Sequence, residues 1–341
     1  MHISEFNYDL PEELIAQQPL SRRDASRMLV VDRRKQKWID SDFVSFPGYA
    51  RAGDVLVINN TRVFPARLIG EREHTGGRVE ILLLREIEPL LWEGLVRPGN
   101  RLKEGAVIRF TNSALRAELA EGPGQEIRRL RFDSQDALEK TLETVGQLPL
   151  PPYIKRPEGT SSEDRQRYQT VFARELGAIA APTAGLHFTP ETLESVKRRG
   201  VDVAEITLHV GYGTFEPVRV ETAEEHKVRP EAVEITAEAA GIINSRRATG
   251  GRVITVGTTT TRALESAVDA EGKLQPVRAT AGLTLVPGYQ FRITDALLTN
   301  FHLPQSSLLL LVSSFAGRDL ILAAYRHAVE ARYRFYSYGD C

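Results

Sequence analysis

Gly53-Asp-Val-Leu-Val-Ile-Asn-Asn60 is the stretch on which the fold turns. Val55, Leu56, Val57 and Ile58 follow one another without polar alternation, and three of the four are β-branched. Such a run reads as a buried strand. It ends in two asparagines, where a buried strand would reach a pocket. Five residues further on the texture changes. From about Pro65 to Pro149 short alternating runs appear at Arg78–Leu84, Leu91–Val96, Ala106–Phe110 and Ile127–Phe132. Turn signals at Thr75-Gly-Gly77, Pro98-Gly-Asn100 and Gly122-Pro-Gly124 separate them. Strands at this spacing predict a small antiparallel barrel or sandwich. Leu148-Pro-Leu-Pro-Pro152 closes it, since its prolines can continue neither a ladder nor a helix.

On either side of this insertion the pattern is α/β. Met28–Asp32 reads as a strand, and Asp9–Gln17 opens a short helix with Pro11 and Glu12-Glu13 in its first turn. Downstream, Thr189 caps a helix that Gly200 ends, and Val203–His209 is the next strand. Arg252–Gly257 is a strand running through a Thr258–Thr261 turn into a helix from Arg262 to Val268. Leu308–Val312 reads as a further buried strand. A last helix over about Asp319–Tyr333 places Leu322, Tyr325, Val329 and Tyr333 near one face. The expected architecture is a mixed-sheet α/β main domain, residues 1–64 and 153–341, with residues 65–152 as an inserted antiparallel β domain.

Bulk properties bound the function. The 341 residues suit about two domains. Net charge is 44 − 45 = −1, which argues against a chain that coats nucleic acid non-specifically. Local basic clusters stand at Arg22-Arg23 with Arg27, Arg33-Arg34-Lys35 with Lys37, Lys197–Arg199 and Arg246-Arg247. Each taken alone reads as solvated surface charge. No apolar run reaches the roughly 18 residues a membrane span needs, and the first residues lack a signal-peptide pattern. One cysteine, Cys341, and seven scattered histidines give neither an internal disulfide nor a zinc spacing. The expected compartment is the cytoplasm.

Five segments crowd small and polar residues against apolar strands, where ligands sit in open α/β sheets. Gly177–Thr189 would let a backbone approach a ligand, with His187 just before a helix; a tight turn capped by His187 is the alternative. Thr207–Phe215 puts His209 at a strand end before Gly-Tyr-Gly, and lacks the third glycine of a dinucleotide fingerprint. Val256–Glu265 offers free N–H groups to an anion, against plain threonine capping. Leu298–Ser307 gathers Asn300, His302 and two serines in one loop. Arg332–Asp340 interleaves arginine with aromatics, as stacking on nucleobases requires, against a tail packed on the body.

In this order Asn59–Arg67, Thr75–Gly77, Leu148–Ile154, Tyr168–Val171, Ala181–Thr189, Thr207–Phe215, Gly257-Thr-Thr, Thr299–Pro304 and Tyr333–Asp340 resemble the tRNA ribosyltransferase-isomerase family of queuosine biosynthesis, from about Phe6 to Asp340. The resemblance implies an α/β domain with an inserted β-barrel. It implies an enzyme that moves the ribosyl part of S-adenosylmethionine onto 7-aminomethyl-7-deazaguanine at the tRNA wobble position. Isomerisation then gives epoxyqueuosine, with adenine and methionine released. The partners would be tRNA with a GUN anticodon and S-adenosylmethionine, a consumed substrate; no metal or other cofactor and no membrane are expected, and the chain is expected to be a monomer.

That chemistry needs a base for the ribose C5′ proton, and histidine suits it. His187, His209 and His302 are the candidates. Adenine needs a proton or hydrogen bond to leave, from a second histidine, Asp295 or Glu265. The Thr258–Thr261 turn, Thr259 included, would hold the methionine carboxylate with Arg262. Tyr212 or Phe215 would stack on the wobble base. The matching segments also nominate Thr183, Gly185, Gly213, Thr214, Asn300, Arg62 and Arg334 for substrate binding. Two departures from the family pattern stand out: Gln305 where a basic residue commonly follows His-Leu-Pro, and Arg229 where a second histidine is usual. The rival readings are a tRNA-binding protein with an inactive site and a methyltransferase-type enzyme.

Overall fold

Val55–Ile58 lies at the heart of the main sheet. A computed structural model describes the chain except residues 100, 101, 123, 158 and 217 and the side chains of Thr214 and Phe215. The turns expected at Pro98-Gly-Asn100 and Gly122-Pro-Gly124 fall partly outside the described residues, as does stacking by Phe215.

Strands β1 (Arg27–Asp32) and β2 (Lys37–Asp42) form a hairpin, followed by β3 (Val55–Asn59) and β4 (Thr61–Val63). Next come β5 (Arg67–Arg72), β6 (Arg78–Glu88), β7 (Leu91–Arg97), β8 (Val107–Phe110), β9 (Arg116–Leu119) and β10 (Ile127–Phe132). Helices α1 (Gln135–Thr144) and α2 (Ser162–Arg167) lead to β11 (Glu175–Ala178), α3 (Pro190–Arg198), β12 (Asp202–Leu208) and β13 (Glu231–Ile235). Then follow α4 (Ala237–Ala248), β14 (Val253–Val256), α5 (Thr258–Ala267), β15 (Val277–Ala281), β16 (Ala296–Leu298), α6 (Ser307–Ala316) and α7 (Arg318–Glu330).

The main sheet runs β15-β13-β12-β3-β14-β16. β12, β3, β14 and β16 are parallel, and β13 and β15 are antiparallel at one edge, so the sheet is mixed as expected. β3 is covered on both faces, which is why its sequence does not alternate. Val55 and Val57 pack with Ala240, Ile243 and Leu264 from α4 and α5. Leu56 and Ile58 pack on the other side with Phe43, Phe46, Phe188 and Val196.

β5–β10 close into a barrel in the order β10-β7-β6-β5-β8-β9, with the β9–β10 pair completing the ring. This resolves the barrel-or-sandwich choice. Val79, Ile81 and Leu83 alternate inward along β6, as a closed sheet requires. Arg128 also points inward, 1% exposed, with its guanidinium held by the carbonyls of Gly99 (3.1 Å), Leu102 (3.3 Å) and Glu121.

Four expectations need correction. Leu308–Val312 is not a strand but lies in the first half of α6, capped by Ser306, whose Oγ accepts from Leu309 N at 3.2 Å. A short apolar run does not distinguish strand from buried helix, and four leucines favour the helix. The Thr258–Thr261 segment is no turn: α5 starts directly after Gly257. Thr260 Oγ1 donates to the Val256 carbonyl (2.7 Å) and Thr261 Oγ1 to the Gly257 carbonyl (3.2 Å), which satisfies these fully buried hydroxyls, and tertiary packing overrides the low helix propensity of the threonines. The Asp9–Gln17 helix shrinks to a single 3₁₀ turn at Glu12–Leu14, because Ile15 pairs in extended form with Phe335. The last helix ends at Glu330 rather than near Tyr333.

No single helix is long and apolar enough to cross a membrane among the described residues. α6 and α7 bend by 116° at Gly317 and bury Leu309, Leu310, Leu311, Ile321 and Leu322 against Ile3, Phe6 and Tyr8.

Candidate active site

The carboxyl ends of β14, β16 and β11 open into one cleft, enclosing about 540 Å³ of empty space with its mouth included. Gly257, Thr258 and Thr259 follow β14; Thr299, Asn300 and His302 follow β16; Ala180–Ala184 follow β11. Tyr153, Tyr168, Tyr336 and Ser337 form the opposite wall. This is the strand-end position at which α/β sheets hold ligands.

The cleft is more apolar than polar and carries no carboxylate, lysine or arginine among its described lining residues. Gly257 makes the sharp entry into α5 with φ +93°, a left-handed conformation open to glycine. The first N–H groups of α5 are thereby presented at the cleft, and neither Thr258 nor Thr259 spends its hydroxyl on an internal hydrogen bond. Tyr153 and Tyr336 meet edge to face with centroids 3.9 Å apart. Tyr336 holds a positive φ of 74°, a strained conformation for an aromatic residue. Burial pushes its hydroxyl up to about 12, so it stays protonated at neutral pH.

Of the three candidate histidines only His302 lines this cleft. Its Nε2 shares a hydrogen bond with Thr299 Oγ1 (3.0 Å), leaving Nδ1 without one. The main chain is pinned on both sides: His302 N donates to Tyr325 Oη (3.2 Å), and Tyr8 Oη donates to the His302 carbonyl. Burial pushes the ring pKa down to about 3.

His187 stands behind the cleft wall, in a neighbouring pocket with Arg23, Arg167 and Tyr338. Its Nδ1 meets Ser26 Oγ at 2.7 Å, and Ser26 Oγ also lies 3.3 Å from the Arg23 carbonyl. A chain from Nδ1–H through the serine hydroxyl to that carbonyl satisfies these three groups and leaves the lone pair on Nε2. Burial, with the charges of Arg23 and Arg334, lowers this ring to about 4; the Asn300 side chain partly opposes them. Even so, Nε2 and Asn300 Oδ1 are both buried without a well-formed hydrogen bond.

His209 is farther from the cleft. Its Nδ1 meets Thr61 Oγ1 at 2.8 Å, and its ring covers Gly177, where a Cβ would come within 2.8 Å of it. Burial lowers its pKa against the opposing pull of Glu175 and Glu234.

Thr183, Thr258, Thr259, Asn300 and His302 are brought together, and other candidates are not. Arg262 is locked in a buried ion pair with Glu231, beside a separate cavity that includes Gly213 and shares only Leu308 with the cleft. Glu265 is fully buried, and its carboxylate accepts from the backbone N–H of Arg292 (2.9 Å), Ile293 (3.2 Å) and Thr294 (3.0 Å). Asp295 lies at the opposite edge of the sheet, accepting from Val253 N at 2.8 Å. Neither acid is among the described residues that line the cleft. Gly185 is a packing position, where a Cβ would press on Phe172 and Thr170 at 2.8 Å. Arg62 is exposed on β4, Tyr212 packs toward the barrel core, and the Thr214 side chain lies outside the described residues. Arg334 acts on His187 from behind the wall. Tyr153, Tyr168, Tyr336 and Ser337 escaped the residue-by-residue reading, although all four sit in the segments that carry the family resemblance.

Fold and cleft together define an α/β protein with an inserted barrel and an uncharged, tyrosine-walled ligand site at the carboxyl edge of its parallel strands. The chain belongs to the family described as "Queuosine biosynthesis protein", whose model matches residues 3–341. It is 49% identical over 341 residues to an S-adenosylmethionine:tRNA ribosyltransferase-isomerase of Natranaerobius thermophilus, covering 100% of this chain and 98% of that one. A protein of the same name from Acetivibrio thermocellus is 48% identical over 340 residues, again 100% and 98% covered. Among solved structures, S-adenosylmethionine tRNA ribosyltransferase from Thermotoga maritima matches with a TM-score of 0.53 at 35% identity, covering 99% of this chain and 98% of that one.

Proposed function

We propose that the chain transfers and isomerises the ribosyl moiety of S-adenosylmethionine onto 7-aminomethyl-7-deazaguanine at the wobble position of a GUN-anticodon tRNA. Epoxyqueuosine-tRNA forms, and adenine and methionine leave. The observation that carries this reading is the uncharged cleft walled by Tyr153, Tyr168 and Tyr336 with the first turn of α5 at its floor. A sulfonium is held by aromatic faces without being neutralised by a carboxylate. Its charge therefore remains available to acidify the adjacent C5′–H. The methionine carboxylate suits the free N–H groups and hydroxyls of Thr258 and Thr259, a task that Arg262 cannot share while paired with Glu231.

His302 is the favoured base. It lines the cleft and is neutral at physiological pH; with Thr299 accepting from Nε2–H, Nδ1 can take the proton. His187 and Asn300 then serve the departing adenine or the incoming amine from the wall. In this reading residues 65–152 form the inserted barrel domain, residues 1–64 and 153–341 form the catalytic body, and a monomer acts in the cytoplasm without a further cofactor. A single-turnover reaction of the protein, S-adenosylmethionine and a stem-loop bearing the aminomethyl base tests it. Release of adenine and methionine with a heavier nucleoside is expected. S-adenosylhomocysteine as product would replace this reading with methyl transfer, and RNA binding without adenine release would leave an inactive binding protein.

A further inference from the structure

The pocket behind the cleft wall is lined by Arg23 and Arg167, which have no ion-pair partner among the described residues, and Arg334 lies near enough to act on the same histidine. Arg23 donates only to carbonyl oxygens, those of Gln166 (3.0 Å), Leu186 (3.3 Å) and Arg167 (3.4 Å). Arg167 likewise donates to the carbonyls of Leu20 (2.6 Å) and Ser21 (3.0 Å), and Arg334 to that of Gln18. Among the described residues none of the three forms an ion pair, although the Asp340 carboxylate favours the charge of Arg334 from nearby, whereas Arg156, Arg252 and Arg262 all pair with a carboxylate. Donors are also left over: Arg167 Nε and Arg334 Nη1 are buried without a partner. These guanidinium groups are half-buried, and their buried spare donors are completed favourably by an anion. The charges feel one another: Arg167 helps lower the Arg23 pKa, and Arg23 and Arg334 both disfavour a charged His187. The pocket encloses about 290 Å³ of empty space, and Ser337 borders both it and the cleft.

We propose that this pocket, floored by Arg23 and Arg167 beside His187, binds a phosphate group of the RNA substrate. Planar guanidinium forks match a tetrahedral oxyanion, and backbone carbonyls already hold them in place, so little ordering is needed on binding. One wall separates the pocket from the cleft, which suits a phosphate and the base of the same or the adjoining nucleotide. The site would thus set which nucleotide enters the cleft. This inference rests on the RNA-modifying reading above.

The test places a carboxylate in the pocket without removing any arginine contact. Leu20 is half-buried and lines the pocket, and only its carbonyl is used by Arg167. In Leu20→Glu the new side chain should occupy the phosphate position. Affinity for the modified stem-loop, followed by fluorescence anisotropy from 50 to 200 mM KCl, should fall roughly tenfold, as for loss of one charge-assisted contact. The slope of log affinity against log salt should shrink by about one. Affinity for S-adenosylmethionine alone should hold, and Arg246→Ala, in the last turn of α4 and in the lining of neither pocket, should change neither quantity. Should Leu20→Glu not fold, Pro19→Glu, at a half-buried position that also lines the pocket, makes the same measurement. Wild-type RNA binding with unchanged affinity and slope in the variant overturns the proposal. So does weakened S-adenosylmethionine binding with RNA affinity intact, which would make the pocket a carboxylate site. Absence of RNA binding by the wild-type protein overturns instead the reading on which the proposal rests.

Discussion

At the scale of single residues the site depends on histidines kept neutral by burial. If His302 is the base, His302→Asn should lower the single-turnover rate by about 10²- to 10⁴-fold while leaving S-adenosylmethionine affinity nearly unchanged. Rapid-quench kinetics beside equilibrium titration separate the two quantities. His187 carries a second consequence. Its folded-state pKa of about 4 lies below the unfolded value near 6.5. Between those values the unfolded chain binds a proton that the folded chain does not, so stability declines as pH falls from about 6.5 toward 4, by roughly 1.4 kcal/mol per unit from this residue. In His187→Gln the decline in melting temperature between pH 7 and pH 5 should be shallower than in the wild type; an identical decline would remove His187 as a source. Residue types nominated three histidines with equal weight. Their partners were out of reach, because Ser26 is 161 positions from His187, and a single sequence does not show which distant hydroxyl fixes a ring.

Among the elements, α5 does two jobs with two ends. Its first turn faces the cleft, and Glu265 near its last turn ties down the loop 292–294. In Glu265→Gln an amide N–H₂ would meet backbone donors on one side, leaving at least one unsatisfied, at a cost of about 1–3 kcal/mol. Denaturant titration should register that loss while S-adenosylmethionine affinity holds; a large affinity loss would return Glu265 to the binding site. β3 was readable because burial on both faces writes a continuous apolar run. α6 was not, since a short run of leucines fits a buried strand equally well until Ser306 is seen capping it. The threonines of α5 hide a helix for the opposite reason: their low helix propensity is overridden by burial, with the hydroxyls of Thr260 and Thr261 satisfied by carbonyls one turn back.

Across the whole molecule the decisive contacts join segments far apart in sequence. Ala16 N donates to the Phe335 carbonyl (3.1 Å) and Phe335 N to that of Leu14 (2.7 Å). Leu29 N donates to the Cys341 carbonyl at 2.8 Å. The buried Asp340 carboxylate accepts from Arg27 N (2.9 Å) and Arg334 N (2.8 Å). Asp340→Ala leaves both donors unmet and should destabilise the protein by about 2–5 kcal/mol. Activity should fall with it, because the same segment carries Tyr336 and Ser337 into the cleft. Full activity with unchanged stability would show that this clasp is dispensable. The alternating runs between Pro65 and Pro149 made the β insertion legible, but not its closure, which depends on β9 pairing with β10 and on two short strands, β5 and β9, with weak signals of their own. The clasp left no local pattern at all, since nothing in Arg332–Asp340 says which strand it will meet.

The clasp also bears on the order in which the molecule assembles. The tyrosine and serine of the far cleft wall are placed by pairings between Leu14, Ala16 and Phe335, contacts of very high sequence separation. Closing so long a loop costs entropy before any contact repays it, so local hairpins such as β1–β2 form more readily than the pocket does. Enclosure of the ligand site therefore belongs to the slow, non-local part of folding, and a chain with its hairpins formed still lacks one side of its cleft.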